Sequence, residues 1–388
     1  MIHFSQLNIF NKRVLIRLDL NVPIKNNIIQ SHARILAALP TIKIALKKNA
    51  KVIIMSHLGR PKIEQFNPEL SLFPIYQFLK KILKNNTVYF CKDYLNGVYI
   101  NNGELLVLEN VRFNIGEKEN KSTLAKKYAN LCDIFVMDAF GAAHRIEAST
   151  YGVMEFSPIS CAGPLLISEI KAITQALKNP NRPMVAVIGG AKISTKFNIL
   201  NSLVNIADKI IVGGGIANTF IAINNNIGKS LHEPKFIQQA KILTKKNNIL
   251  IPVDSRVGTY FDNNTPAKIK KINEINNDEE IMDFGDQTIK NMVLILNSAK
   301  TILWNGPVGV FEFQNFREGT KILAKTIAKS NAFSIAGGGD TLAVIEMFSI
   351  KHKISYISTG GGAFLQFIEK NTLPTIEMLK KITMHKNI

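Results

Sequence analysis

The feature that most constrains the fold of this chain is a short apolar run that recurs ten times, each time before a polar or glycine-containing segment. The runs cover residues 14–18, 52–55, 105–108, 134–137, 184–188, 210–212, 249–253, 301–304, 333–336 and 354–357. Unbroken apolar runs of this length are typical of strands that are buried on both faces of a parallel sheet. Helix-like segments separate the runs, so the pattern predicts βαβ units and a doubly wound α/β fold.

Two Rossmann-like domains are expected rather than one. Ten strands are many for a single sheet, and 388 residues exceed an average single core. The break is predicted at residues 164–179, where apolar residues at helical spacing lie between two prolines. We expect a first domain over residues 1–163, this connecting helix, and a second domain over residues 180–371. An ordinary crossover helix inside one domain is the alternative.

Composition indicates a globular protein, with 46% apolar and 20% charged residues. No apolar run is long enough to span a bilayer, and the first residues lack the pattern of a signal peptide. Cys91, Cys132 and Cys161 are isolated and show no metal-binding spacing. We therefore expect a reduced, cytoplasmic compartment.

The formal net charge of +19 allows three interpretations. It suits a nucleic-acid binder, an enzyme with polyanionic substrates, or a solvated basic surface without a dedicated partner. The lysines are scattered singly and in pairs, without interleaved aromatic residues. We favour the solvated surface, and expect neither a dedicated nucleic-acid partner nor a membrane partner.

A glycine loop at residues 337–341 has the composition of an anion-binding site. Its sequence, GGGDT, follows an apolar run and precedes a helix-like segment. Glycines let the backbone approach a ligand, and the first N–H groups of a helix point at an anion. Asp340 would repel a bare phosphate and therefore suggests an intervening cation, Mg²⁺. A ligand-free turn between strand and helix is the alternative.

The residues that follow the apolar runs differ between the two halves, and ligands of such sheets bind beyond these carboxyl ends. The first half has polar and cationic side chains: Asp19, Asn21, His57, Arg60, Asn110, Arg112, Asp138, His144 and Arg145. The second half has glycines at 189–190, 213–215, 306, 337–339 and 360–362, with two lysines. The first set suits a small phosphorylated anion, and the second suits a nucleotide polyphosphate.

Three charged residues of the second half have two possible roles each. Lys192 and Lys196 are four residues apart at the start of a predicted helix, so both ammonium groups would share one face next to a polyanion. A solvated lysine pair is the alternative. Glu312 ends the segment 304–312 and would accept hydrogen bonds from a ribose, or else interact with a helix dipole.

Several other functional classes lack their signatures. The dinucleotide fingerprint fails at Asn218 and the Walker A motif fails at Ile223, where each needs glycine, so residues 228–230 are interpreted as a structural turn. No nucleophile motif accompanies His57, and no zinc-binding spacing occurs. Phosphoryl transfer by positioning and charge stabilisation remains, because it needs no protein nucleophile.

The sequence resembles the phosphoglycerate kinases over essentially its whole length. The motifs that carry the resemblance are RLDLNVP (17–23), SHLGRP (56–61), LENVRF (108–113), DAFGAAHR (138–145), GGAKISTK (189–196), GGGIANTF (213–220), WNGPVGVFE (304–312), GGGDT (337–341) and STGGGA (358–363). The resemblance implies reversible, Mg²⁺-dependent phosphoryl transfer between 1,3-bisphosphoglycerate and ADP in glycolysis. A nucleic-acid binder and a nicotinamide-dependent dehydrogenase are the competing hypotheses.

The resemblance also implies a role for each residue that matches a motif. On the phosphoglycerate side these are Asp19, Leu20 and Asn21 near the glycerate hydroxyl, Arg34 at the carboxyl or acyl-phosphate end, and His57, Leu58, Gly59, Arg60, Arg112 and Arg145 around the non-transferred phosphate. On the nucleotide side they are Lys196, Gly213, Asn305, Glu312 at the ribose, Gly338, Gly339, Asp340 at Mg²⁺, and Thr341. Arg34, Lys192, Gly338 and Gly361 would contact the moving phosphoryl group.

The resemblance further implies a monomer with residues 372–388 returning to the first domain. Two half-sites in different domains imply that the protein works by hinge closure. Two positions depart from the usual pattern, because His32 stands where an acid is common and Glu147 where a neutral residue or His is commoner. Neither is expected to contact substrate.

Overall fold

The apolar runs form the strands of two parallel, six-stranded sheets. A computed structural model of the chain describes residues 1–62 and 66–385. Its strands are β1 (Arg13–Leu18), β2 (Ile24–Lys25), β3 (Ile28–Ile29), β4 (Lys51–Met55), β5 (Val88–Cys91), β6 (Leu105–Leu108), β7 (Ile134–Asp138), β8 (Ile159–Ala162), β9 (Met184–Ile188), β10 (Lys209–Val212), β11 (Ile249–Leu250), β12 (Asp254–Gly258), β13 (Lys268–Lys271), β14 (Glu280–Phe284), β15 (Thr301–Asn305), β16 (Phe333–Gly337) and β17 (Tyr356–Ser358). Its α-helices are α1 (Ala33–Lys47), α2 (Phe73–Ile82), α3 (Ser122–Ala129), α4 (Val153–Phe156), α5 (Pro164–Leu177), α6 (Phe197–Leu203), α7 (Gly214–Ile221), α8 (Ile237–Thr244), α9 (Asp286–Ser298), α10 (Glu318–Lys329), α11 (Gly339–Met347), α12 (Gly362–Lys370) and α13 (Pro374–His385).

One compact unit consists of Met1–Lys171 and the C-terminal segment from Thr372. Its sheet has the strand order β5-β6-β4-β1-β7-β8, and every pair is parallel. The central strands β1, β4 and β7 are buried almost throughout, because helices cover both faces. Helix α13 packs on this unit, where Thr375 donates a side-chain hydrogen bond of 3.0 Å to the carbonyl of Ala143. Residues 386–388, the end of the segment expected to return here, lie outside the described residues.

The other compact unit is Ala172–Asn371, and its parallel sheet has the order β11-β10-β9-β15-β16-β17. Two parallel sheets flanked by helices confirm the expected fold class. Helix α5 contains the point of division, between Lys171 and Ala172. The fold alone does not identify the ligand of either unit, so the assignment of phosphoglycerate to the first and nucleotide to the second stays a prediction.

The strand predictions were wrong in several details. Strand β11 ends at Leu250, two residues before Pro252, and β17 begins only at Tyr356, after a 3₁₀ turn at Lys351–Lys353. Strands β5 and β8 were missed, as was an antiparallel sheet of order β13-β12-β14. Strand β13 contains three lysines and is mostly exposed, so it has no apolar run. Gly228 lies in a turn with a φ of 57°, as expected of residues 228–230.

Candidate active site

An ion pair lies at the carboxyl edge of the first unit's sheet, directly after β1. Arg34, in the first turn of α1, donates from Nη1 to Oδ1 of Asp19 at 3.1 Å and to the carbonyl of Asn21 at 2.8 Å. Asp19 is buried, whereas the Arg34 side chain is 31% exposed. The ion pair therefore fixes Arg34 at the sheet edge while part of its side chain is exposed to solvent.

His57 follows β4 and is held by an arginine of the adjacent strand. Arg17 lies in β1 with no solvent exposure, and its Nη2 is 3.2 Å from Nδ1 of His57. A guanidinium has donors only, so Nδ1 must accept and the hydrogen of the imidazole must be on Nε2. Burial and the charges of Arg17, Arg112, Arg145 and Arg34 lower the pKa of His57 well below its ordinary value. His57 is thus a neutral imidazole with one Nε2–H donor.

A buried network supports Arg17 from behind. Its Nε donates to Oγ of Ser149 at 3.0 Å, and this hydroxyl donates to Glu117 at 2.5 Å. Burial raises the pKa of Glu117 to about 7, although the bond from Ser149 and the charge of Arg17 oppose the rise. Sequence reasoning gave Arg17, Ser149 and Glu117 no role; the available signal was a charged residue inside the apolar run of β1.

Arg112 and Arg145 are paired with one carboxylate. Nη2 of Arg112 is 3.1 Å from Oε1 of Glu147, and Nη1 of Arg145 is 3.5 Å from the same oxygen. Arg112 also donates to the carbonyl of Gly59, and its side chain is only 3% exposed, against 27% for Arg145. The structure brings the two arginines that were predicted to bind phosphate together. Of the two, Arg112 is far more enclosed than Arg145.

The remaining predicted residues of this edge shape its loops. The N–H of Leu20 donates to Ser56 Oγ at 2.9 Å, that of Leu58 to Asn110 Oδ1 at 3.2 Å, and that of Gly59 to Asn21 Oδ1 at 2.9 Å. These N–H groups brace the loops after β1, β4 and β6 against each other. Arg60, in the loop after β4, is exposed.

In the second unit, Lys196 is half-buried beneath the glycine loop after β9. Its Nζ donates to the carbonyl of Gly189 at 2.5 Å and is 3.4 Å from that of Asn305. Burial lowers the pKa of Lys196 to about 8, against the opposing charge of Asp340. The structure thus connects Lys196 to the loops after β9, β15 and β16.

The expectation that Lys192 and Lys196 share one helical face is wrong. Lys192 has an extended backbone, a 3₁₀ turn at Ile193–Thr195 follows it, and α6 begins only after Lys196. Glu233 stabilises that turn by accepting two hydrogen bonds of 2.7 Å from the N–H and hydroxyl of Ser194. Lys192 is exposed and Lys196 points inward.

The loop around Gly337–Thr341 is braced by side chains. The amide nitrogen of Asn305 donates to the carbonyl of Gly337 at 2.6 Å, and the hydroxyl of Thr341 donates to the same carbonyl at 3.0 Å. Gly338 has a φ of 105°, which non-glycine residues rarely adopt. Thr341 is fully buried, so its hydroxyl holds the loop.

Packing alone already requires glycine at position 213, and its contact with the nucleotide stays a prediction. A Cβ atom there would lie 2.4 Å from Cα of Val308, in the loop after β15. Gly339 and Gly361 differ, because a Cβ at either position meets no atom within 4 Å. The two open glycines lie at the first turns of α11 and α12, whose N–H groups favour anions.

A cavity of about 230 Å³ lies beside these loops. Glu312 and Asp340, both exposed acids, line it together with the glycines after β9 and β10. Its apolar wall includes Phe261, Met282 and Phe311. Sequence reasoning missed Phe261 and Met282, which flank or belong to the unpredicted antiparallel sheet.

Candidate metal ligands are few among the described residues. Within residues 1–62 and 66–385 no group of three His, Cys, Asp or Glu side chains has the arrangement of a metal site. Asp340 is a single exposed carboxylate. Mg²⁺ commonly uses one or two carboxylates together with substrate phosphates, and Asp340 fits that mode.

Comparison with known proteins decides the family. A family model described as "Phosphoglycerate kinase" matches residues 4–371. The chain belongs to the phosphoglycerate kinase family. The phosphoglycerate kinase of Buchnera aphidicola subsp. Schizaphis graminum is 64% identical over 383 residues, covering 98% of each chain. That of Mannheimia succiniciproducens is 56% identical over 385 residues and covers 98% of each chain.

Solved phosphoglycerate kinases share the fold. The Coxiella burnetii structure has a TM-score of 0.94 at 47% identity and covers 98% of this chain and 99% of its own. The Pyrococcus horikoshii structure has a TM-score of 0.84 at 32% identity with full coverage of both chains. As a phosphoglycerate kinase family member the chain is a phosphotransferase with a carboxyl group as acceptor and ATP or ADP as co-substrate. The family decides for the kinase over the dehydrogenase hypothesis.

None of the helices in the described part of the chain has the length and apolar character needed to cross a membrane.

Proposed function

We propose that the first unit binds 3-phosphoglycerate or 1,3-bisphosphoglycerate and that the second unit binds ADP or ATP with Mg²⁺. The observation that carries the proposal is the chemical difference between the two sites. The first unit has arginines and a neutral histidine at its carboxyl edge, whereas the second has a glycine-walled cavity with two acids. Guanidinium groups suit a compact phosphate or carboxylate, and helix N-termini suit a polyphosphate.

In the first unit, His57, Arg60, Arg112 and Arg145 hold the non-transferred phosphate. Because His57 is neutral with its hydrogen on Nε2, it contributes a hydrogen-bond donor and no charge. The charge that attracts the phosphate therefore comes from the guanidinium groups. Such a division makes phosphate binding insensitive to the titration of the imidazole.

Arg34 is the cation closest to the chemistry on this side. Its bonds to Asp19 and to the carbonyl of Asn21 orient the guanidinium before substrate arrives. The side chains of Asp19 and Asn21 then meet the glycerate hydroxyl. A preorganised cation at the acyl-phosphate end stabilises charge on the transferring phosphoryl group without moving during the reaction.

In the second unit, Lys196 contacts the nucleotide phosphates and Glu312 accepts from the ribose hydroxyls. Asp340 would hold Mg²⁺, which supplies charge neutralisation to the phosphate oxygens. Lys192, Gly338 and Gly361 contact the moving phosphoryl group. The exposure of Lys192 and the open space above Gly361 leave room for it.

We further propose hinge closure between the two sites, a monomeric state and a cytoplasmic location. Closure would exclude water, which hydrolyses an acyl phosphate. Small-angle scattering with and without both substrates tests closure, and identical profiles would contradict it. Sedimentation of the purified chain tests the monomer.

A coupled assay tests the proposal as a whole. Purified protein is supplied with ADP, Mg²⁺ and 1,3-bisphosphoglycerate, and ATP formation is measured. ATP formation that requires Mg²⁺ supports the proposal, and its absence with both substrates present contradicts it.

A further inference from the structure

One carboxylate lies against the two arginines that are proposed to bind the non-transferred phosphate. Glu147 is 7% exposed, and a single oxygen, Oε1, faces Arg112 Nη2 at 3.1 Å and Arg145 Nη1 at 3.5 Å. Its other oxygen, Oε2, is buried and has no hydrogen-bond partner among the described residues. The same is true of Nε in both arginines. The three side chains thus form a largely enclosed cluster with unused donors and an unused acceptor.

This arrangement changes the charge that a phosphate meets. Two guanidinium groups carry two positive charges, and the enclosed carboxylate cancels one of them. A phosphate that approaches these guanidinium groups finds one Nη of each already bonded to Glu147, and it also approaches a fixed negative charge. Like charges brought close together weaken binding substantially.

Arg112 and the backbone of Arg145 also have contacts that do not involve Glu147. Arg112 also donates to the carbonyl of Gly59. The backbone of Arg145 is held by its N–H bond to Ala142 at 3.1 Å and by the hydroxyl of Thr150, which donates to its carbonyl at 2.8 Å. The carboxylate can therefore be neutralised without releasing Arg112 or the backbone of Arg145.

We propose that Glu147 sets the affinity of this site for its phosphorylated substrate. Its carboxylate competes with the substrate phosphate for Arg112 and Arg145 and keeps binding weaker than the arginines alone would allow. This inference rests on the proposed function, because it assumes that both arginines bind the non-transferred phosphate. Weaker binding favours release of 3-phosphoglycerate in the direction that forms ATP.

Glu147→Gln tests the inference, because glutamine keeps the shape and one acceptor but removes the charge. Calorimetry should show that the dissociation constant for 3-phosphoglycerate is about tenfold lower in the variant than in the unsubstituted protein. The KM for 3-phosphoglycerate should fall by a similar factor while the KM for ATP stays unchanged. A dissociation constant that is unchanged or raised would overturn the inference.

Glu279→Gln is the matched control. Glu279 is likewise buried and pairs with a cation, Lys270, at 2.8 Å, but it belongs to the other unit. Its substitution should leave 3-phosphoglycerate affinity unchanged. A gain of equal size in both variants would also overturn the inference, because it would not depend on the position of the charge.

Two further variants keep the result interpretable. If Glu147→Gln does not fold, Glu147→Asp withdraws the carboxylate by one methylene and should bind 3-phosphoglycerate about threefold more tightly; no gain would overturn the inference.

Arg145→Ala tests the underlying proposal separately. If it binds 3-phosphoglycerate as well as the unsubstituted protein does, the proposed phosphate site is wrong. If it binds more weakly while Glu147→Gln shows no gain, only the role of Glu147 is wrong.

Discussion

Glu117 gives a stability prediction whose size follows from its burial. The side chain is enclosed behind Arg17 and accepts from the hydroxyl of Ser149. Burial raises its pKa from 4.5 to about 7 in the folded protein. Between these values the unfolded chain is ionised at this position while the folded protein stays protonated.

The sign of the effect follows from proton linkage. A raised pKa means that the folded state holds a proton that the unfolded state has lost, so the free energy of unfolding falls as pH rises. This contribution is fully present below pH 4.5 and is lost by the time the pH passes about 7. At about 1.4 kcal/mol for each pH unit, the loss is about 3 kcal/mol.

Glu117→Gln isolates this contribution, because glutamine does not titrate. The difference in free energy of unfolding, native protein minus variant, should fall by about 3 kcal/mol between pH 4.5 and 7. Urea unfolding can be followed by near-ultraviolet circular dichroism in the tyrosine region, to which Tyr94 and Tyr128 of the same network contribute. Trp304 lies in the other unit and reports on that unit instead.

Glu155→Gln removes an exposed carboxylate from the same unit and controls for the loss of one charge. A difference that stays constant from pH 4.5 to 7 would refute the reasoning. It would mean that the charge of Arg17, acting across Ser149, offsets the cost of burying the carboxylate.

Three predictions concern the transfer reaction. Arg34→Ala should lower turnover by about 10³-fold or more, because positioned cations stabilise the transferring phosphoryl group; near-normal turnover in the coupled assay would count against its role. Lys196 loses its charge as pH rises through about 8, so ADP should bind more weakly at pH 9 than at pH 7 in calorimetry. Lys196→Arg, which stays charged, should remove that dependence, and an equal loss in both proteins would contradict the assignment. Asp340→Asn should raise the Mg²⁺ concentration for half-maximal turnover about tenfold without changing 3-phosphoglycerate affinity; an unchanged Mg²⁺ requirement would exclude Asp340 as a ligand.

Much of the fold could be predicted because a strand that is buried on both faces of a sheet consists mainly of consecutive apolar residues. Strands β1, β4, β7, β9 and β15 are mainly apolar, and each was found within a residue of its bounds. The antiparallel sheet could not be found in this way. Its strand β13 is exposed, and exposure leaves lysines where a buried strand would have apolar residues.

The residue types of the candidate site could be predicted from the sequence, but the contacts between its side chains could not. The sequence pattern placed His57, Arg112 and Arg145 near strand ends, the family resemblance added Arg34, and their roles stay predictions. That Lys192 and Lys196 share a helical face was wrong, because residue spacing says nothing about a 3₁₀ turn that Glu233 stabilises from 39 residues away.

The sequence by itself determined two parallel sheets, a cationic and a glycine-rich set of strand ends, and the family. These features follow from residue type and from short-range order along the chain. Only the tertiary structure decided that Arg17 sets the tautomer of His57 and that Glu147 faces Arg112. Those pairs are separated by 40 and 35 residues. Their contact depends on how neighbouring strands and loops pack, which no local pattern of residues records.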